Sequence, residues 1–581
     1  DHRGVDLEEA DGAKDIGYPY EAMTTGSELE NGSPLDCWFN GNVAVLYKNR
    51  FDQNSFPKSS SFSGAASMVT IKDFSARSPR MTMSVEIGNQ LLQRDSLVSR
   101  SLLNTAVNSF PISTKNHLYL PTSRGIYALG NNGQSLAGNS TGLLSFAASG
   151  VGAAVNVLPD STEVVASIQD SVLRIFKLAF HNGQTSVDST RKIYAHRFTT
   201  SPSFAQLNMP SILIGAESGS LSVLNFNGDT VSTRVVGTDP VASISVLPTP
   251  SLSKPDEYFF TSGNKLFGEN STVDLPVSAQ GWMLAGAVSP RGNFIIAAQK
   301  NGTEILSFHR TLSQRNFDIT VPGLGIREIA VADIDGDGEK DVILQSANSI
   351  SVLNRNGSML DGFPFQARAG LEYTGTPLVL DFNGDGRQEI VLLTNDGELW
   401  IIDRSGRLLA GFPMQVTTAG RTYPLAYLSP PSSNKIGLAF LSESGSFDAF
   451  LSSTNAAPAS LTWWQHLGNE GNGNTDASIS PAVPISTEYF PKSRVYNWPN
   501  PVYGQSTQIR YYTGEDANVL VTILDLSGRK ITELSGKGTA GMDNEITWNV
   551  SNIQSGIYLA RVEARSAAKS EVVFVKIAVV K

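Results

Sequence analysis

Several residue types are scarce in this chain, and each scarcity excludes something. The single cysteine, Cys37, permits neither an intrachain disulfide nor a cysteine-based zinc site. There are six histidines (His2, His117, His181, His196, His309 and His466). None precedes a glutamate and no two lie four apart, so the helical HExxH zinc motif is missing. Charged residues make up 17% of the chain, the net charge is −10, and lysine and arginine are not clustered. Phosphate neutralisation needs such clusters, so nucleic acid is not an expected partner. No apolar run approaches the roughly 18 residues of a membrane-spanning helix. The longest, around Val572–Val580, is broken by Lys576. GxSxG elbows, Walker loops and dinucleotide fingerprints in strand–turn–helix context do not occur. The chain starts at Asp1 without a signal peptide, which reads as a processed form or as the ordered part of a longer precursor.

With 581 residues, the chain is long enough for three or four domains, or for one large repeat array with satellites. Glycine (52) and proline (28) make about one residue in seven, which favours many short strands over long helices. A short apolar strand followed by a polar turn and a second strand recurs eight times. The leading strands are His117–Leu120, Glu163–Ile168, Ser211–Gly215, Glu257–Thr261, Asn293–Ala298, Asp341–Gln345, Glu389–Leu393 and Lys435–Leu441. Near-identical text follows two of them, NRNGSMLDGFP (Asn354–Pro364) and DRSGRLLAGFP (Asp403–Pro413). A period of about 40–50 residues with about four strands per unit is the signature of propeller blades. The expected fold is therefore all-β, a seven- or eight-bladed β-propeller over 101–460, with two long stacked sheets as the alternative. Residues 1–100 fall outside the period and read as a β-rich segment with strand-like runs at Met68–Ile71 and Met81–Val85 and a short helix at Ser96–Val107. Residues 461–494 read as a linker, opening with tryptophans (Thr462–Asn474) that close the ring. Residues 495–581 alternate as six or seven short strands, an immunoglobulin-like sandwich.

The strongest chemical signal is DIDGDGEKD at Asp333–Asp341. Asp333, Asp335, Asp337 and Asp341 occupy loop positions 1, 3, 5 and 9, Gly338 permits the sharp turn, and Glu339 offers the position-7 carbonyl. Calcium takes about six to eight oxygens, and alternate residues of a tight loop supply them. The loop recurs 48 residues later as DFNGDGRQE, with Asp381, Asn383, Asp385, Glu389 and the Arg387 carbonyl as ligands. Four acids stacked without a cation would repel one another. The equivalent stretch before Lys435, LSPPSSN, lacks acids, and NFNGD at Asn225–Asp229 is an ordinary hairpin turn.

The acidic loops with their GFP turns resemble the calcium-bearing repeats of integrin-type and related bacterial propellers. Two segments, RGVDLEEADGAKDIG (Arg3–Gly17) and SFPKSSSFSGAASMVTIKDFS (Ser55–Ser75), are similar to the end of immune inhibitor A-like secreted metalloproteases. That resemblance implies a zinc active site only if a catalytic domain lies upstream. The acids Asp6, Glu8, Glu9, Asp11 and Asp15 form either a further cation site or a solvated charge run. NWPNPVYG (Asn497–Gly504), TILDLSGRKITEL (Thr522–Leu534), NEITWNV (Asn544–Val550), SGIYLARVEA (Ser555–Ala564) and VKIAVVK (Val575–Lys581) together resemble the type IX secretion C-terminal sorting domain. A related hook-cap-type immunoglobulin module shares this text without the sorting role.

Taken together, these features describe a secreted protein of the bacterial cell surface, a calcium-binding propeller that serves as a non-catalytic binding or adhesion part of a metalloprotease-like precursor. The partners expected are a protein or glycan at the cell surface, a cleaved N-terminal part of the same precursor, and the outer-membrane secretion machinery. The rivals are an active zinc metallopeptidase with its catalytic domain upstream, and a structural subunit of an extracellular assembly.

Overall fold

The computed structural model describes Ala10, residues 34–476 apart from 46, 61–64, 89–90, 103–106, 108, 137–141, 146–151, 182–183, 250–253, 291, 322–324, 418, 431–433 and 456–460, and residues 489–580 apart from 493–494, 499–501, 503–505, 539–541 and 567. The acids expected at 6–15 lie outside them. The described residues form mainly strands and turns, and the chain divides into two compact units, Asp1–Pro481 and Ala482–Lys581.

The first unit is built around eight small sheets, antiparallel but for one parallel pair in the fifth, here sheets I to VIII in chain order. Their leading strands are Ile112–Ser113, Gly152–Val157, Ser203–Gln206, Val241–Leu247, Trp282–Ala287, Glu328–Ala332, Tyr373–Leu380 and Thr422–Leu428. Each leading strand packs beside the next, and that of sheet VIII packs beside that of sheet I. The buried apolar clusters follow the same order. Phe198, Phe204 and Ile214 join sheets II and III, and Leu118 and Leu129 of sheet I meet Tyr427 and Phe447 of sheet VIII. A small sheet cannot bury both faces alone, so each is covered by its neighbours.

The strands identified in the sequence as leading the repeats are in fact second strands. The true leading strands precede them, which shifts the phase of the repeat by one strand. Among the described residues, sheet VIII lacks a fourth strand of its own. Leu92–Arg94 supplies it by pairing with Ser446–Asn455, and Arg100–Ser101 pairs with the same strand. Residues 92–101 therefore belong to the sheet array, and the described part of the helix expected at Ser96–Val107 is turn and strand. The N-terminal stretch also forms a three-stranded sheet of Arg50–Phe51, Val69–Lys72 and Ser84–Ile87, and Ala66 bridges to Met414 at the edge of sheet VII.

The first residues of the expected linker are also structured. Leu461–Trp463 pairs with the leading strand of sheet VII, and Thr475–Asp476 pairs with that of sheet V. Between them, backbone carbonyls accept N–H groups from one leading strand after another. Trp464 accepts from Ala426, Glu470 from Val155, Gly471 from Phe204, Gly473 from Val246 and Asn474 from Gly286, each at 2.7–2.8 Å. Trp463 is fully buried in a core cluster drawn from sheets V, VI and VII.

The second unit holds a three-stranded sheet (Tyr496–Trp498, Ser506–Thr513, Met542–Asn549) and a four-stranded one (Lys530–Gly538, Ala517–Asp525, Gly556–Arg565, Ser570–Val579). One core, with Ile509, Tyr511, Val521, Trp548, Val562 and Ile577, lies between them. Alternating burial along Ala517–Asp525 follows from the two-residue strand period.

Candidate metal loops and relations to known proteins

The two acidic loops occupy equivalent places, each between the first and second strands of its sheet, 333–341 in sheet VI and 381–389 in sheet VII. Their backbones are held by the same bonds. The position-1 carboxylate accepts the N–H groups of positions 4 and 6. Asp333 accepts Gly336 at 2.9 Å and Gly338 at 3.1 Å, and Asp381 accepts Gly384 at 2.8 Å and Gly386 at 3.0 Å. Position 3 accepts from position 5 and position 5 from position 7. Position 9 reaches back to position 2, with Asp341 accepting Ile334 and Glu389 accepting Phe382, both at 2.8 Å. Gly336 and Gly338 take φ of 80° and 86°, a region in which a side chain is strained.

These bonds turn the acids inward. Asp333, Asp335 and Asp341 each place an oxygen within 4.8 Å of the others. Asp333 and Asp341 are 3% and 2% exposed. Burial pushes the Asp333 carboxyl up to about 6; Lys340 opposes this, and the charges of Asp335 and Asp337 add to it. Asp335 is raised by burial and by the neighbouring Asp337 charge. Asp341 lies well above the usual carboxylate range, first through burial and then through the Asp335 charge. In the second loop burial raises Asp381 and, much further, Glu389, with the Asp385 charge adding in both cases. Here Asn383 donates from Nδ2 to Glu389 at 3.2 Å, a bond that an aspartate at position 3 could not make. Among the described residues the second loop gathers no such trio of acids. A divalent cation fits the first loop, because a positive charge among buried, mutually repelling oxygens relieves both costs.

Glu339, expected to act through its carbonyl, has its carboxylate bound to Arg355 at 2.6 Å. Further residues around the loops were not identified from the sequence. Arg404 of sheet VII donates to the Asp335 carbonyl at 3.0 Å. At position 8, Lys340 forms an ion pair with Asp476 at 2.7 Å, both side chains 1% exposed, and Gln388 accepts the Thr462 hydroxyl at 2.8 Å. The only sequence signal for position 8 is its strand-like alternation with position 9, which faces the loop.

Residues 333–392, which span both loops, match the FG-GAP-like repeat, and residues 496–576 match the secretion system C-terminal sorting domain. The chain is a secreted, cell-surface protein. Its sorting domain engages the type IX secretion machinery. Neither match reaches the first hundred residues, where the likeness to secreted metalloproteases was read. No curated protein matches the chain. Among solved structures, the Vibrio cholerae biofilm matrix protein Bap1 is 11% identical, over 68% of this chain and 98% of that one, with a TM-score of 0.46. BamB from Moraxella catarrhalis is 14% identical, over 61% of this chain and all of that one, with a TM-score of 0.39. The computationally designed Ika8 protein is also 14% identical, over 62% and 100% of the two chains, with a TM-score of 0.41.

Proposed function

We propose that the protein is a calcium-loaded, eight-bladed β-propeller displayed on the cell surface, where it binds a protein or glycan on one rim without catalysing a reaction. The observation that carries the calcium reading is the convergence of buried Asp333, Asp335 and Asp341 in a loop whose backbone bonds recur at 381–389, within the stretch matching the FG-GAP-like repeat. Asp333, Asp335, Asp337, Asp341 and the Glu339 carbonyl are the ligands proposed for the first site. Asp381, Asn383, Asp385, Glu389 and the Arg387 carbonyl are those for the second. The eight-blade reading is supported by the succession of leading strands that returns to its start and by the strand from 92–94 that completes sheet VIII. That strand also supports reading the N-terminal stretch as part of the array, whatever its relation to a metalloprotease-like precursor.

Calcium titration of the full chain by isothermal calorimetry tests this reading. Two bound ions are expected, with binding at the first site weakened in Asp335→Ala. Heat-silent titration with no bound calcium by elemental analysis would overturn it. Deleting 496–581 is expected to abolish surface display while leaving the first unit folded.

A further inference from the structure

The segment 461–476 touches the array at every sheet. It pairs with sheets VII and V at its two ends, accepts backbone N–H groups from sheets VIII, II, III and IV, and meets sheet I where the Gln465 side chain accepts the Ser113 N–H at 2.8 Å. Sheet VI is met through the Lys340–Asp476 pair. Asn472 donates to the carbonyls of Ala153 and Pro202, and Asn474 to that of Leu284. The leading strand of an unadorned sheet array would present unpaired N–H groups along its inner edge. Here one strap of chain pairs many of them.

The strap is held at both ends by the metal loops themselves, through the same loop position. Its start, Thr462, bonds to Gln388, and its end, Asp476, bonds to Lys340. Each anchor precedes the position-9 carboxylate, Glu389 or Asp341, that closes its loop. Lys340 is also the cation felt by Asp333. A change in loop geometry therefore shifts position 8, and with it one end of the strap.

We propose that the two loops are latches for the strap, so that loading them with a divalent cation seats 461–476 and removing the cation loosens it. This rests on the calcium reading above and adds to it a partner element within the chain. The coupling is reciprocal: whatever weakens the strap weakens cation binding. Because the strap bonds to the leading strands, its release exposes their inner-edge N–H groups and opens the two depressions it helps to line. One is lined by Asn156, Gln206 and Trp464, the other by Ser243, Arg327 and His466.

Hydrogen–deuterium exchange of the full chain, with calcium and with chelator, tests the latch. The reporting amides are those of Val155, Phe204, Val246 and Gly286, which donate to the strap. Chelation is expected to speed their exchange about tenfold or more, within the usual range of coupling between sites, while amides of the second unit stay unchanged. Thr462→Val removes one anchor at little cost in volume. It is expected to speed exchange at the same amides with calcium present and to weaken calcium binding several-fold by calorimetry. Lys340→Met paired with Asp476→Asn removes the other anchor without stranding a charge and is expected to act the same way. Calcium binding without any change at these amides would overturn the latch and leave the calcium reading intact. No calcium binding at all would overturn the calcium reading and the latch with it. Unchanged affinity and exchange in both variants would also refute the latch.

Discussion

The loops at 333–341 and 381–389 share a backbone, and among the side chains that face the loop interior they differ at positions 3 and 9. With Asp335 and Asp341, the first loop brings like charges together at both positions; burial raises both carboxyls, with the Asp337 charge adding at Asp335 and the Asp335 charge at Asp341. With Asn383 and Glu389, the second places a donor against an acceptor at 3.2 Å, and the loop is partly satisfied by its own side chains. One fold thus supports two balances between self-sufficiency and affinity. Fewer charged ligands mean weaker calcium binding, and a native hydrogen bond means less to lose when the ion leaves. The first loop should depend on its ion and the second should tolerate losing it.

The largest expected effect is removal of both ions. A ligand at a hundredfold its Kd that binds only the folded state adds about 2.7 kcal/mol. EGTA should therefore lower the melting temperature of the first unit by several degrees. The second unit, with its own core, should melt as before. Differential scanning calorimetry resolves the two, and superimposable traces with and without calcium would erase the contrast between the loops. Next comes truncation of one loop at a time. Asp335→Ala should cost about tenfold or more in affinity at its site, a loss of about 1.4 kcal/mol. Asn383→Ala should cost less, because it removes a neutral ligand. A larger loss from Asn383→Ala in calorimetric titrations would invert the ranking.

The acidic loops were legible in the sequence because their side chains recur at fixed spacing. Second strands such as Glu389–Thr394 were legible because they are unbroken buried apolar runs. First strands such as Ser203–Gln206, SFAQ, were not, because they are short and mixed. Fourth strands such as Gln184–Ile193 show mostly exposed polar residues. The strap was hidden by its composition. Asn-Gly-rich text reads as linker, yet that composition suits a segment that works through its backbone. The Gly471 and Gly473 carbonyls accept from the leading strands, while Asn472 and Asn474, at φ of 51° and 50°, carry side-chain amides that bond like peptide groups. The strap's anchors at position 8 carry no motif of their own, and only the assembled array brings Thr462 to Gln388 and Asp476 to Lys340.

The smallest and sharpest expected effect comes from exchanging the residue at position 3 between the loops. In Asn383→Asp the bond to Glu389 is lost and a like charge faces that buried carboxylate. The calcium-free protein should be destabilised by about 1 kcal/mol, the net value of one hydrogen bond, and calcium affinity at that loop should rise a few-fold with the added charge. Asp335→Asn should do the reverse, gaining a donor toward Asp341, relieving repulsion in the calcium-free state and binding the ion more weakly. The two substitutions must therefore move calcium-free stability and calcium affinity in opposite directions within each variant, and in opposite directions between variants. Melting in EGTA and calorimetric titration measure the two quantities separately. If both variants lose stability and affinity together, position 3 is acting through packing of the turn, and the contrast in electrostatic balance between the loops does not hold.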